Sequence, residues 1–220
     1  MPLILHEYID NGEIGIWKIS ENPEELVLLA RLSVPDKINF SEISALHRRK
    51  EWLATRALLN ELITDPGLIK HWKDGRPYLE NGQFNISISH TLGFVAIMLH
   101  ATSIPGIDIE LISRQVGKVA NRFLSNEELL ACCDKTGFSN RHLLLHWCAK
   151  EAIFKMVPFE NIEYSTDIRI IINDITDDSG SFLGVFDTRH SKVSFTLYYK
   201  LIDEVLIVWG WVDRTTFNTQ

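Results

Sequence analysis

Three cysteines in 220 residues, two of them adjacent as Cys132 and Cys133, exclude a disulfide framework and fit a reducing cytoplasm. No apolar run approaches the ~20 residues that cross a bilayer. The opening Met1-Pro2-Leu3-Ile4-Leu5-His6-Glu7 lacks the basic region and apolar core of a signal peptide. A cytoplasmic location without a membrane partner is therefore expected. Basic residues are in the minority, 22 Lys and Arg against 29 Asp and Glu, for a net charge of −7. That balance argues against non-specific nucleic-acid binding, although an acidic chain can still carry a local basic cleft. Low-complexity linkers and short repeats are also missing. Hydrophobic residues are plentiful at 45%, enough for one large domain or for two of about 100 residues each.

The pattern suits two halves, residues 1–104 and 105–220, each mixing helices with antiparallel-looking strands. In the first half, Ile14 to Ile19 reads as a strand. Asn22-Pro23-Glu24-Glu25 opens a helix to about Leu32, with asparagine as cap and proline at the first helical position. A long helix is predicted over about residues 43–63, closed by Asp65-Pro66-Gly67. Residues 84–89 and 94–99 read as strands, and Pro105-Gly106 breaks the chain before a further strand at 107–111. The second half continues with helices over 116–124, from 125 onward and over 140–157. Four β-rich stretches follow at 164–172, 181–187, 192–200 and 205–211, and 173–180 reads as a hairpin loop.

Two segments carry chemistry. Gly106-Ile107-Asp108-Ile109-Glu110 places two carboxylates on one face of a strand, because residues i and i+2 point the same way. Hard oxygen donors so arranged suit Mg²⁺, and Gly106 lets the backbone approach a ligand; a solvated edge strand is the plain alternative. Trp147-Cys148-Ala149-Lys150-Glu151-Ala152-Ile153-Phe154-Lys155 places Trp147, Glu151 and Lys155 on one helix face. Glu151 is a candidate third ligand or general base, and Lys150 and Lys155 are candidate phosphate holders. The alternative is an ordinary surface ion pair between Glu151 and Lys155. Ser89 and His90 end a strand and point to opposite faces, which disfavours a nucleophile–base dyad and leaves phosphate or ribose binding, or a polar strand exit. Arg49 and Arg56, seven apart on the long helix, and Arg76 after a turn glycine are candidates for a basic cleft or for solvated faces. His142 and His146 have metal-ligand spacing, but no third ligand accompanies them.

These residues together resemble 4′-phosphopantetheinyl transferases of the surfactin-synthetase-activating type. The resemblance rests on Gly-Ile-Asp-Ile-Glu at 106–110, Trp-x-x-Lys-Glu-x-x-x-Lys at 147–155, Ser89-His90, Arg122-Phe123-Leu124-Ser125-x-Glu127-Glu128, Arg48-Arg49-Lys50-Glu51-Trp52-Leu53-Ala54-x-Arg56 and Gly75-Arg76-Pro77. It departs from the family at Asn85-Ile86-Ser87-Ile88-Ser89-His90-Thr91, which is longer than the usual Asn-x-Ser-His-Ser. The resemblance implies an α+β fold of two pseudo-symmetric halves, each an antiparallel sheet packed with a long helix, and a coenzyme A cleft between them. It implies transfer of the phosphopantetheine arm from coenzyme A to a serine of an apo acyl or peptidyl carrier protein, releasing 3′,5′-ADP. Asp108, Glu110 and Glu151 would hold Mg²⁺, Glu151 would take the serine proton, and Lys155 would steady the pyrophosphate. Lys150, Arg49, Arg56, Arg76, Ser89 and His90 would contact the coenzyme.

A basic or apolar docking patch near Arg114, Lys118 and Arg122 is expected, and a monomer is expected. Two other readings stand beside transfer. One is a catalytically inactive coenzyme A or nucleotide binder. The other is a Mg²⁺-dependent phosphohydrolase using Asp108, Glu110 and Glu151.

Overall fold

The structure is a computed structural model that describes residues 2–134, 137–172, 175 and 177–217. The chain divides into two compact units, Met1–Thr102 and Ser103–Gln220. Both are α+β, an antiparallel sheet packed against helices. Among the described residues, no helix is long and apolar enough to cross a membrane.

The first unit begins with strands β1 (Leu3–Ile9) and β2 (Gly12–Lys18). Helix α1 (Pro23–Ala30) starts as its sequence dictates. The Asn22 side chain accepts from the Glu25 N–H, and the Glu25 carboxylate accepts from the Asn22 N–H. Helix α2 (Val34–Ser41) follows, capped by Ser33, and then α3 (Leu46–Leu62). The hairpin β3 (Ile69–His71)–β4 (Pro77–Leu79) leads to β5 (Asn85–Thr91) and β6 (Phe94–His100). The sheet order is β1-β2-β6-β5, antiparallel throughout. One face of α3 buries Leu53, Ala54, Ala57 and Leu58 against β2 and β6.

The second unit opens with β7 (Ile104–Leu111). A 3-10 turn at Gly117–Arg122 stands where a full helix over 116–124 was predicted. Helix α4 (Asn126–Ala131), the short pair β8 (Cys133–Asp134) and β9 (Gly137–Phe138), and the 17-residue α5 (Asn140–Met156) follow. The single turn α6 (Tyr164–Asp167) takes the start of the first predicted β-rich stretch, leaving β10 (Ile168–Ile171). Strands β11 (Ser179–Asp187), β12 (Lys192–Ile202) and β13 (Val205–Val212) complete a sheet ordered β10-β11-β12-β13-β7. The loop expected over 173–180 lies partly outside the described residues.

Helix α5 lies across β7 and β13. Gly106 is the reason it can come so close. A β-carbon there would stand 2.2 Å from the Ala152 carbonyl oxygen and 2.7 Å from Met156 Cγ. The glycine thus admits the helix to the strand, a role different from the ligand approach expected of it.

Candidate active site

Strand β7 and helix α5 assemble the acidic cluster of the second unit. Antiparallel pairing sets Asp108 opposite Val208 and Glu110 opposite Leu206, and both valine and leucine belong to the core under α5. Asp108 and Glu110 therefore point toward the helix. Both are buried, at 5% and 6% exposure, so the solvated-edge reading of this strand does not hold. On α5, Trp147, Glu151 and Lys155 are the half-buried members of one face, while Leu145, Cys148, Ala149 and Ala152 are fully buried.

The side chains form a charged lattice. Lys155 Nζ donates to Asp108 Oδ1 at 3.0 Å and to the Ile107 carbonyl at 2.6 Å. It thus crosses from helix to strand, where an i,i+4 pair with Glu151 was the simpler expectation. Glu110 Oε1 accepts from Trp147 Nε1 at 3.2 Å and from Arg114 Nη1. The Arg114 guanidinium lies 5.0 Å over the Trp147 ring, which packs edge-on against Phe123. The Tyr164 hydroxyl donates to Glu151 Oε1 at 3.3 Å. Burial raises the Glu151 pKa above its ordinary value, and the negative charge of Asp108 raises it further. Lys155, the Tyr164 hydroxyl and Arg114 pull in the opposite direction. The Cys148 thiol is pushed well up, chiefly by burial, then by the charge of Asp108 and a hydrogen bond to it; that makes it a packed residue and not a nucleophile.

Among the described residues, no three acidic, histidine or cysteine side chains stand close enough to hold a metal ion together. As they lie, the three acids are bound to Lys155, Arg114, Trp147 and Tyr164. The donor chemistry nevertheless fits a hard divalent cation. Two buried carboxylates share a strand face, and the proton affinity of Glu151 is raised by burial and then by the field of Asp108, the second of which an added cation would relieve.

Lys150 departs most from its expected role. It is fully buried, and its ammonium donates to Glu128 at 2.7 Å and to the carbonyls of Tyr164 at 2.8 Å and Ile168 at 2.5 Å. All three donors are used, so none remains for a phosphate. Glu128 in turn accepts from the Ser125 N–H as half of a capping box and from the Ile170 N–H at 2.8 Å. This pair ties α4, α5, α6 and β10 together. Arg114, expected near a carrier-docking patch, is committed to Glu110. His146 is held by the His142 carbonyl at 2.8 Å and lies 3.5 Å from the Cys132 thiol.

The first-unit candidates are placed singly. Arg56 is buried and bound to Asp36 at 2.9 Å, with its guanidinium 3.2 Å over Trp52. Burial lowers its pKa, partly offset by Asp36. It is a packing ion pair, and its partner belongs to the short helix α2 that sequence pattern missed. Arg49 lies 4.2 Å over Phe40 of the same helix. Arg76 pairs with Asp74 at 2.5 Å. Ser89 is buried, whereas His90 is exposed and lies 3.9 Å from Glu51, on the opposite faces that strand alternation requires. Tyr164 and Trp147 are the site residues that sequence reasoning did not assign to the acids. A phenol eight residues beyond the helix end carries no local signal.

Comparison with curated proteins finds no match. Residues 105–207, a span that holds Asp108, Glu110, Glu151 and Lys155, match the model of the 4′-phosphopantetheinyl transferase superfamily.

Proposed function

We propose that the chain transfers the 4′-phosphopantetheine arm of coenzyme A to a serine of an apo acyl or peptidyl carrier protein, acting as a monomer in a Mg²⁺-dependent reaction. The observation that supports this reading is the Lys155–Asp108 bond at the β7–α5 contact, with Glu110 on the same strand face and Glu151 within the field of Asp108, inside the span that matches the superfamily model. The new bond joins the serine oxygen to the β-phosphorus, and the bridging phosphoanhydride oxygen leaves with 3′,5′-ADP.

Asp108, Glu110 and Glu151 would hold the cation, which when bound neutralises charge developing on the diphosphate. Glu151 accepts the proton of the attacking hydroxyl, directly or through water, and the raised proton affinity of its carboxyl suits that task. The Tyr164 hydroxyl fixes one of its oxygens. Lys155, held 3.0 Å from Asp108 by the Ile107 carbonyl, supplies the ammonium beside the leaving group.

The test is incubation with coenzyme A, Mg²⁺ and a panel of apo carriers, read by intact mass. One serine is expected to gain one phosphopantetheine, and Glu151→Gln is expected to slow this by ~10²–10⁴-fold. Coenzyme A binding without product would favour an inactive binder. Phosphate release with no carrier present would favour a hydrolase.

A further inference from the structure

We propose that Arg114 is a resident counter-cation of the acid cluster: it holds Glu110 until a divalent cation arrives together with an anionic diphosphate ligand, which then takes up the guanidinium. The inference rests on the function proposed above.

Arg114 is rooted firmly and tipped loosely. Its N–H donates to the Leu111 carbonyl at 2.9 Å, and its own carbonyl accepts from Asn140 Nδ2 at 3.1 Å, at the first residue of α5. Its side chain leaves that root, crosses the Trp147 ring and ends on Glu110 Oε1, the oxygen that also accepts from the indole N–H. The two partners differ in freedom. The Arg114 side chain is 44% exposed, whereas that of Glu110 is 8% exposed. The cation can swing out on its stem, while the carboxylate stays with the strand. Lys155 plays the matching part at Asp108 but is also gripped by the Ile107 carbonyl, which fixes it to the strand.

The consequence is a linkage between cation and anion. A bare divalent ion must displace the guanidinium from Glu110 and then bear its repulsion at short range. A diphosphate brought in with the ion gives the guanidinium a new partner of matching fork geometry. Metal uptake is thereby coupled to uptake of the phosphate-bearing ligand. Stacking on Trp147 provides a surface along which the side chain turns.

The test is Mn²⁺ binding to the full chain by electron paramagnetic resonance and calorimetry, with and without coenzyme A. Arg114→Ala is expected to bind Mn²⁺ alone about three- to ten-fold more tightly than wild type. Coenzyme A should tighten Mn²⁺ binding less in this variant than in wild type. Arg114→Lys, which keeps the charge, should move both values back toward wild type. Should Arg114→Ala melt early, Arg114→Gln keeps a planar group over Trp147 and carries the same expectation. Equal or weaker Mn²⁺ binding by the neutral variants overturns the inference while the proposed function stands. A wild-type chain that binds no Mn²⁺ even with coenzyme A overturns both.

Discussion

Replacing Lys150 with methionine separates the role that the structure gives this residue from the one its motif suggested. Lys150 is fully occluded and Glu128 nearly so, with side-chain exposures of 0% and 4%. Methionine fills similar volume but leaves the Glu128 carboxylate buried beside the orphaned carbonyls of Tyr164 and Ile168. Breaking a buried pair by removing one partner costs ~3–5 kcal/mol. For a unit spanning Ser103–Gln220, each kcal/mol shifts the melting midpoint by roughly 3–5 °C, so a fall of roughly 10–20 °C is expected. A second change, Glu128→Gln in the same chain, removes the uncompensated charge. The single amide oxygen can accept from only one of the Ser125 and Ile170 N–H groups, which bond to different oxygens of the carboxylate. Part of the lost stability should therefore return. The assay is calorimetric or circular-dichroism melting of the three proteins, with coenzyme A kinetics alongside. A Lys150→Met protein that melts within about 2 °C of wild type but shows a ten-fold higher KM for coenzyme A would refute the reasoning and restore Lys150 as a phosphate ligand.

Other expectations follow from the same contacts. Gly106→Ala forces a β-carbon to 2.2 Å from the Ala152 carbonyl, so α5 must shift from β7; a loss of at least ~2 kcal/mol in urea melts, with slower carrier loading, is expected. Burial lowers the His146 pKa from its ordinary 6.5, opposed in part by its bond to the His142 carbonyl. Below that value the unfolded chain takes up a proton that the folded chain refuses, so stability should fall as pH drops below about 6.5. His146→Gln should flatten that slope in urea melts at stepped pH. Arg76→Ala removes a side chain now paired with Asp74, and is expected to raise KM for coenzyme A without changing the melting midpoint; an unchanged KM would remove Arg76 from the coenzyme contacts.

Much of the architecture was legible because local rules agreed with tertiary ones. The Asn22 box, the proline after it, and the strict alternation of 84–89 each specified an element that packing then kept. Helix α5 was legible over 140–157 because Pro158 cannot continue it, whereas its cap, Ser139, is seen only in the structure. What failed was short or nonlocal. Helix α2 has only eight residues, and what holds it is Asp36 meeting Arg56 twenty positions away. Gly117 and Asn121 lie in the stretch predicted as helix, and only a 3-10 turn forms there.

At the site, spacing alone put Asp108 and Glu110 on one strand face, and Glu151 and Lys155 on one helix face. Spacing did not distinguish Lys150 from Lys155. Both are lysines of one motif, but one turns into the core toward Glu128 and the other toward Asp108. That choice is made by α4 and β7, which lie far from α5 in sequence. Gly106 was flagged for its lack of a side chain, yet the body that needs the space is a helix 46 residues downstream, at Ala152.

The central claim is that Asp108, Glu110 and Glu151 bind one and the same divalent cation. Its most direct measurement is the stoichiometry and affinity of Mn²⁺ in the presence of coenzyme A for wild type, Asp108→Asn, Glu110→Gln and Glu151→Gln. The account predicts one ion per chain in wild type, and at least ten-fold weaker binding in each neutralised variant. Wild-type affinity retained by any of the three would take that residue out of the site and contradict the claim.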